Sequence, residues 1–115
     1  MASKVHVVVL KAGLPTVAEA RKRLILELDN AKRRGNIALK LIHGYGSSGI
    51  GGKLKDAIRR SLRRRQKEGK IRSFVVGEKW DIFEESVREI LEKCPELAKD
   101  QDLNNYNEGI TIVLL

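Results

Sequence analysis

A glycine-rich segment between a predicted strand and a predicted helix is the clearest candidate for chemistry in this sequence. Residues 43–52 read His-Gly-Tyr-Gly-Ser-Ser-Gly-Ile-Gly-Gly and hold five of the ten glycines of the chain. Such a segment lets several backbone N–H groups converge, and the N-terminus of the following helix adds positive potential, so an anion such as phosphate can bind there. The alternative is a tight turn whose glycines only permit left-handed backbone angles. We favour the anion site because a short connection needs fewer than five glycines.

Two nucleotide-binding motifs can be compared with this segment. Residues 44–49 match G-x-G-x-x-G, but they follow the second predicted strand and lack the acidic residue expected about 20 positions on. A P-loop requires G-x-x-x-x-G-K-[ST], whereas Gly52-Lys53 is followed by Leu54. NTP hydrolysis is therefore not expected, and no cofactor is predicted. Phosphate contacts are predicted instead for Gly44, Tyr45, Gly46, Ser47, Ser48, Gly49, Gly51 and Gly52.

The predicted helix that follows carries a dense set of basic residues. Positions 53–67 hold eight Lys and Arg residues against one acidic residue, Asp56. Like charges four residues apart, as in Arg60 and Arg64, weaken an isolated helix, and an ordinary solvated face would mix the signs. The alternative is a basic surface that the acidic third helix partly neutralises. We favour a phosphate-backbone surface, with contacts predicted at Lys53, Lys55, Arg59, Arg60, Arg63, Arg64 and Lys67.

The charge of the whole chain supports a polyanionic partner. The formal net charge is +8, but residues 1–72 hold 19 basic and five acidic residues, whereas residues 73–115 hold four basic and ten acidic residues. Nucleic acid is the first candidate partner and an anionic membrane surface the second. Only Tyr45 and Phe74 are aromatic residues near the basic helix, so recognition of a duplex or branched structure is favoured over base stacking on a single strand.

His43 is the candidate catalytic residue. It follows a predicted strand at the sheet edge where α/β folds bind ligands, and it could serve as a general acid and base or donate a hydrogen bond to phosphate. The alternative is a structural histidine. His6 is the only other histidine, and the carboxylates cluster on the third predicted helix as a solvated face, so no metal site is predicted.

Length and composition limit the class of protein. A chain of 115 residues with 42% hydrophobic residues is expected to form one domain over its whole length. Its single cysteine, Cys94, excludes an intramolecular disulfide framework and a cysteine zinc site, and fits a reducing compartment. The apolar run at residues 7–10 is too short for a signal sequence or a membrane span, so we expect a cytoplasmic protein.

The pattern of apolar residues places these features on an α/β scaffold. Strands are predicted at residues 5–10, 37–42, 71–76 and 109–115, and helices at 16–34, from 53 to Gly69, and from Asp81 to Pro95. This order, with short connections, predicts a two-layer α/β sandwich, β-α-β-α-β-(α)-β, with a mixed, mostly parallel four-stranded sheet.

Local signals add detail to the helices. Thr16 and Glu19 are spaced as a capping box at the start of the first helix, and Asp81 with Glu84 reads as an N-cap pair for the third. Trp80 and Phe83 are expected to anchor the third helix, and Cys94 is expected to pack in the core.

The run from Leu39 to Leu54, continuing through Ala57-Ile-Arg-Arg-Ser-Leu62, resembles the small MutS-related (Smr) domain. The shared features are the Ile-His-Gly-x-Gly loop, the opening Gly13-Leu-Pro-Thr-Val-Ala-Glu-Ala20 and the closing hydrophobic strand at 109–113. The resemblance covers roughly residues 5–76 and 109–115. It implies a two-layer α/β sandwich that binds DNA or RNA, in a family that includes stand-alone proteins and endonucleases acting on branched DNA or on RNA.

The sequence departs from the family pattern in two places. Where the family usually has Leu-Asp-x-His at the end of the first strand, this chain has Val9-Leu-Lys-Ala12, so the Asp and His associated with cleavage are missing. Only His43, Gly44 and Gly46 carry over from the family motifs. Residues 77–108 form an acidic helical insertion relative to the short form of the domain.

Three functions follow from these observations. The first is a nucleic-acid-binding Smr-like module, linked to DNA repair and recombination or to RNA processing. The second is an endonuclease that uses His43 on branched DNA or RNA, and the third is a protein-interaction adaptor that uses the acidic third helix. We favour binding over catalysis because the usual catalytic pair is absent from the first strand.

Overall fold

The computed structural model describes residues 4–13, 15–44 and 50–115. It has the predicted order of elements, with strands β1 (Val5–Val9), β2 (Ala38–Ile42), β3 (Ser73–Val76) and β4 (Ile110–Leu114), and helices α1 (Val17–Arg33), α2 (Ile50–Lys67) and α3 (Glu85–Lys93). Two short 3₁₀ helices, Gly77–Lys79 and Pro95–Lys99, flank α3. The predicted α/β class is confirmed. No helix in the described part of the chain is long and apolar enough to cross a bilayer.

The four strands form one mixed sheet in the order β1-β2-β4-β3. β1 pairs with β2 in parallel, and β4 pairs with β2 and β3 antiparallel, so three strands share one direction while two of the three ladders are antiparallel. The predicted mixed, mostly parallel sheet is confirmed, because three of its four strands share one direction. β4 runs in the opposite direction because the segment 77–108 leaves β3 and enters β4 at the same sheet edge, where Val76 pairs with Thr111.

Helices cover both faces of the sheet. On one face, α1 and α2 bury a core that includes Leu24, Leu28, Ile58 and Leu62 against the strands. On the other face, the segment 77–108 packs Trp80, which precedes α3, and apolar residues of α3 against β2, β3 and β4. The two predicted layers are present, and this segment adds a partial third layer. It leaves the outer face of β1 open, where Val7 is 53% exposed.

The start of α1 has the predicted cap. Thr16 Oγ1 accepts a hydrogen bond from the Glu19 N–H, and the Glu19 carboxylate accepts one from the Thr16 N–H. Hydrogen bonding to the Glu19 carboxylate, first from the Thr16 backbone N–H and then from the Thr16 side chain, lowers the pKa of Glu19. Gly35 takes a positive φ of 78° directly after the C-cap residue of α1, which explains why the helix ends there.

The start of α3 differs from the prediction. The helix begins at Glu85 with Glu84 as N-cap, because the Asp81 carboxylate accepts the Phe83 N–H and the Tyr106 hydroxyl and holds the preceding residues in a turn. Phe83 is consequently 85% exposed, so its predicted role as an anchor is wrong. Trp80 and Cys94 are fully buried, which confirms their predicted places in the core.

A buried lysine ties the segment 77–108 to the sheet. Lys40 lies on β2 with 5% exposure, and its Nζ contacts Asp100 at 2.6 Å and Asp102 at 2.5 Å. Burial alone would lower the pKa of Lys40, but the two carboxylates outweigh it and raise that pKa. Asp100 also accepts the indole N–H of Trp80 at 3.0 Å. This polar cluster holds the 100–108 loop beside β4.

Candidate functional site

The candidate site lies at the edge where β1 and β2 end. The two strands are parallel, and the Leu10 N–H donates to the Ile42 carbonyl at 2.8 Å, so the residues that follow both strands are neighbours. Gly44 takes a φ of +79°, a conformation that favours glycine. The predicted loop contacts Tyr45, Gly46, Ser47, Ser48 and Gly49 lie outside the described residues. Gly51 and Gly52 belong to the first turn of α2, which begins three residues before the predicted start.

His43 is completely buried at the base of the loop. Its Nδ1 lies 2.7 Å from the Gly44 carbonyl, which can only accept, so Nδ1 carries a proton. Its Nε2 lies 2.9 Å from Thr111 Oγ1, which also accepts the Arg59 Nε–H at 3.2 Å. A neutral imidazole that accepts the Thr111 hydroxyl proton satisfies all three groups. We call this chain of hydrogen bonds from Arg59 through Thr111 and His43 to Gly44 the loop-base relay.

This geometry decides what His43 can do chemically. Burial lowers the pKa of His43 to about 4, and the nearby Arg59 guanidinium acts in the same direction. The side chain is therefore neutral near pH 7, and both ring nitrogens are engaged within the protein. The arrangement suits a residue that positions the loop backbone, and it offers a substrate no ring nitrogen for general acid and base catalysis.

Arg59 differs from the expectation that it contacts phosphate. Its side chain is buried, and its guanidinium donates to both carboxylate oxygens of Glu78, at 3.0 Å and 2.7 Å. The same group donates to the Ile110 carbonyl at 3.1 Å. Burial would raise the pKa of Glu78, but the hydrogen bonds and charge of Arg59 outweigh it and lower that pKa. Arg59 thus joins α2 to both ends of the segment 77–108, and we remove it from the proposed phosphate contacts.

Four other basic residues of α2 form a continuous outer stripe. Arg60, Arg63, Arg64 and Lys67 are all exposed, and their spacing of three and four residues places them on one helix face. Within the part of the chain that the structure describes, none of the four forms an ion pair with a carboxylate. We call these residues the α2 stripe. Their charges are available to an anionic partner.

Further basic side chains connect the α2 stripe to the glycine loop. Lys53 is exposed in the first turns of α2. Lys55 is partly exposed and lines a groove of about 250 Å³ with Asp56, Arg60, Arg63 and Val76. We call this the β3-side groove. The predicted residues Lys53, Lys55, Arg60, Arg63, Arg64 and Lys67 thus share one helix surface that begins beside the loop.

Two basic residues near this surface were not predicted from the sequence as phosphate contacts. Lys11 follows β1, is exposed, and its Cδ would lie 3.5 Å from a Cβ built on Gly44. The signal for it was present, because residues that follow neighbouring parallel strands meet at the same sheet edge. Arg21 on α1 lies in a groove with Arg60 and Arg64. No local pattern could have found Arg21, because only the packing of α1 on α2 brings these residues together.

Other features bear on the alternative functions. The described residues contain no group of three or more His, Cys, Asp or Glu side chains that could hold a metal ion. Burial raises the pKa of the Cys94 thiol, which keeps it protonated and unreactive. The carboxylates of Glu84, Glu85, Glu89 and Glu92 are exposed on the opposite side of the sheet from α2. A protein-docking role for this acidic surface stays a prediction.

Comparison with known proteins gives one family and one solved structure. No curated protein matches the chain. The crystal structure of the Smr domain of Thermus thermophilus MutS2 matches with a TM-score of 0.59 and 27% sequence identity, over 96% of this chain and 96% of that chain. The family model of the Smr domain matches residues 13–79, which include α1, β2, the glycine loop and α2. The chain therefore belongs to the Smr domain family.

Proposed function

We propose that this protein binds nucleic acid through its phosphate backbone, using the glycine loop and the outer surface of α2. The observation that carries this proposal is the α2 stripe, four exposed cations without a carboxylate partner among the described residues. The four positive charges repel one another in the free protein, which costs stability. A bound polyanion would neutralise them and remove that repulsion. The membership of the Smr family supports the same class of ligand.

The surface fits backbone recognition better than base stacking. It consists of arginine and lysine side chains, and the aromatic Phe74 on β3 packs against the core under α1 and α2 instead. Arginine is suited to two-point contacts with phosphate oxygens. We propose a duplex or branched DNA or RNA as the ligand, because these present more than one backbone to a surface of this kind.

The loop-base relay supports the proposal by holding Gly44, the last described residue before α2, in a fixed place. Neutral His43 donates to the Gly44 carbonyl, while Arg59 and Thr111 hold the imidazole from the other side. Gly44 is thereby held next to the basic side chain of Lys11. An endonuclease with His43 as its acid and base gains no support from this arrangement, so we propose binding as the activity.

Substitution of the α2 stripe tests the proposal. We expect Arg60→Ala and Arg64→Ala each to weaken binding of a short labelled duplex by a similar factor for unrelated base sequences. Each change should also reduce the slope of log affinity against log salt by about 1, because one phosphate contact is lost. Fluorescence anisotropy titrations across about 50 to 200 mM salt measure both quantities.

Lys99→Ala is the matched control for these substitutions. Lys99 is exposed and carries the same charge, but it lies at the end of the 3₁₀ helix after α3, in the layer on the opposite face of the sheet. Its removal should leave affinity and salt slope unchanged. The proposal is wrong if wild-type binding does not depend on salt, or if Lys99→Ala weakens binding as much as Arg60→Ala does.

A further inference from the structure

A groove between α1 and α2 is a second basic feature of the molecule. It has a volume of about 240 Å³ and is lined by Arg21 and Ile25 of α1 and by Arg60, Arg64 and Arg65 of α2, with Ser61 and Glu68. Four arginines from two helices face one carboxylate there, so the groove has a positive potential. We call it the α1-side groove.

The two grooves lie on opposite flanks of α2. Residues 61 and 65 stand about 100° and about 140° around the helix from Arg60 toward α1, and Arg63 stands about 60° on the other side of Arg60 toward β3. Arg60 lines both grooves, so it lies on the ridge between them. An α-helix with its side chains is about 10–12 Å across, so two grooves on its opposite flanks lie on the order of that distance apart.

This separation matches the spacing of two phosphate backbones in a duplex. The major groove of B-form DNA is about 12 Å wide between its backbones. A single strand has one backbone and can occupy one groove at a time. A double-stranded segment can place one backbone along the β3-side groove, which leads toward Lys55 and the loop, and the other backbone along the α1-side groove.

The floor of the α1-side groove also suits a nucleic acid. Ile25 is 41% exposed there, although its neighbour Leu24 is fully buried in the core. An apolar side chain among arginines can contact the sugar carbons of a backbone while the guanidinium groups bind its phosphate oxygens. A free inorganic anion would make no use of Ile25.

We infer that the α1-side groove binds the second phosphodiester backbone of a double-stranded nucleic acid, with Arg21 as its contact from α1. This inference rests on the proposed function and adds a residue and a strand assignment to it. It also makes Arg21 the residue that separates binding of a duplex from binding of a single strand.

The test compares Arg21→Ala with Arg23→Ala on duplex DNA, duplex RNA and single-stranded DNA of one sequence. Both arginines are exposed on α1, but Arg23 stands about 200° around the helix from Arg21 and does not line the groove. We expect Arg21→Ala to weaken duplex binding on the order of tenfold, to reduce the salt slope by about 1, and to leave single-strand binding unchanged. Arg21→Lys should restore most of the salt slope because it retains the charge. Comparison of duplex DNA with duplex RNA shows whether the backbone spacing of B-form or of A-form helices fits the two grooves better.

Other outcomes would overturn the inference. Equal weakening of duplex and single-strand binding would mean that both grooves follow one backbone. No effect of Arg21→Ala, with Arg60→Ala still weakening binding, would remove the α1-side groove from the interface while the proposed function stands. Absence of nucleic-acid binding by the wild-type chain would overturn both. Circular dichroism of each variant confirms that the fold is retained.

Discussion

His43 shows how the surroundings of a residue decide its role. Its sequence position, after a strand and before glycines, is the same whether it performs chemistry or supports the loop. The structure buries it and uses both ring nitrogens in the loop-base relay. Thr111 and Arg59 hold it there. Thr111 is 68 positions from His43 and 52 positions from Arg59 in the sequence, so no local pattern could have predicted these contacts.

The depressed pKa of His43 predicts a pH dependence of stability. The folded-state pKa of about 4 lies below the ordinary value of 6.5, so on acidification the unfolded chain binds a proton first. The stability that neutral His43 contributes is present above pH 6.5 and is lost as the pH falls toward 4. We expect the free energy of unfolding to drop by about 2 kcal/mol between pH 7 and pH 5, as measured by urea denaturation.

His43→Gln is the control for this pH profile. Glutamine does not titrate, so the variant should show a nearly flat profile between pH 7 and pH 5, whatever its absolute stability. Glu78 and Asp102 have lowered pKa values, and their stabilisation is lost only at more acid pH, below the ordinary range of carboxyl groups. An equally steep profile in the wild type and in His43→Gln would assign the pH dependence to another group.

The elements of the chain were predicted more accurately than their arrangement. Strand and helix positions follow from local periodicity, and the first helix was correct down to its capping box. The start of α3 was predicted wrongly, because the Asp81 carboxylate does not cap the helix. It accepts hydrogen bonds from the Phe83 N–H and from the hydroxyl of Tyr106, 25 residues away. The pairing of β4 between β2 and β3 likewise depends on where the segment 77–108 returns to the sheet.

Gly77 lies against the backbone of the residues that lead into β4, and this close contact predicts the effect of a substitution on stability. A Cβ on Gly77 would lie 1.8 Å from the Asn107 carbonyl oxygen and 2.8 Å from that of Ile110. Both atoms belong to the backbone and cannot move aside without displacing the entry to β4. We expect Gly77→Ala to lower the free energy of unfolding by about 3 kcal/mol or more, measured by urea denaturation with Trp80 fluorescence as the signal.

Gly52→Ala is the matched substitution. Gly52 lies in α2, and among the described residues outside its own turn of helix no heavy atom lies within 4 Å of the position its Cβ would take. Alanine should therefore be tolerated, and it can stabilise the helix by roughly 0.5–1 kcal/mol. Equal destabilisation by the two substitutions would show that the contact at Gly77 is not the cause.

At the scale of the whole molecule, opposite charges occupy opposite faces of the sheet. α1 and α2 lie on one face with the α2 stripe outermost, and the acidic segment 77–108 lies on the other. The sheet separates the two layers, so the carboxylates of α3 do not neutralise the stripe. The net charge of +8 describes neither face.

This separation predicts that salt stabilises the fold. The α2 stripe repels itself at low ionic strength, and screening relieves that repulsion. We expect the free energy of unfolding to rise by roughly 0.5 kcal/mol between about 0.05 and 0.5 M NaCl, as measured by urea denaturation. Arg64→Gln should show a smaller rise, and Lys99→Gln should match the wild type. A fall in stability with salt would mean that attractive surface pairs dominate.

The sequence by itself determined the class of fold, the glycine loop, the basic helix and the class of ligand they favour. Each of these depends on residues close together in the chain, through periodicity, turn chemistry or charge density. Tertiary structure decided which basic residues face outward. It buried Arg59 against Glu78, placed Arg21 beside Arg60 and Arg64, and turned His43 inward. The physical reason is that exposure and ion pairing depend on which distant segments pack together, and no local pattern records that packing.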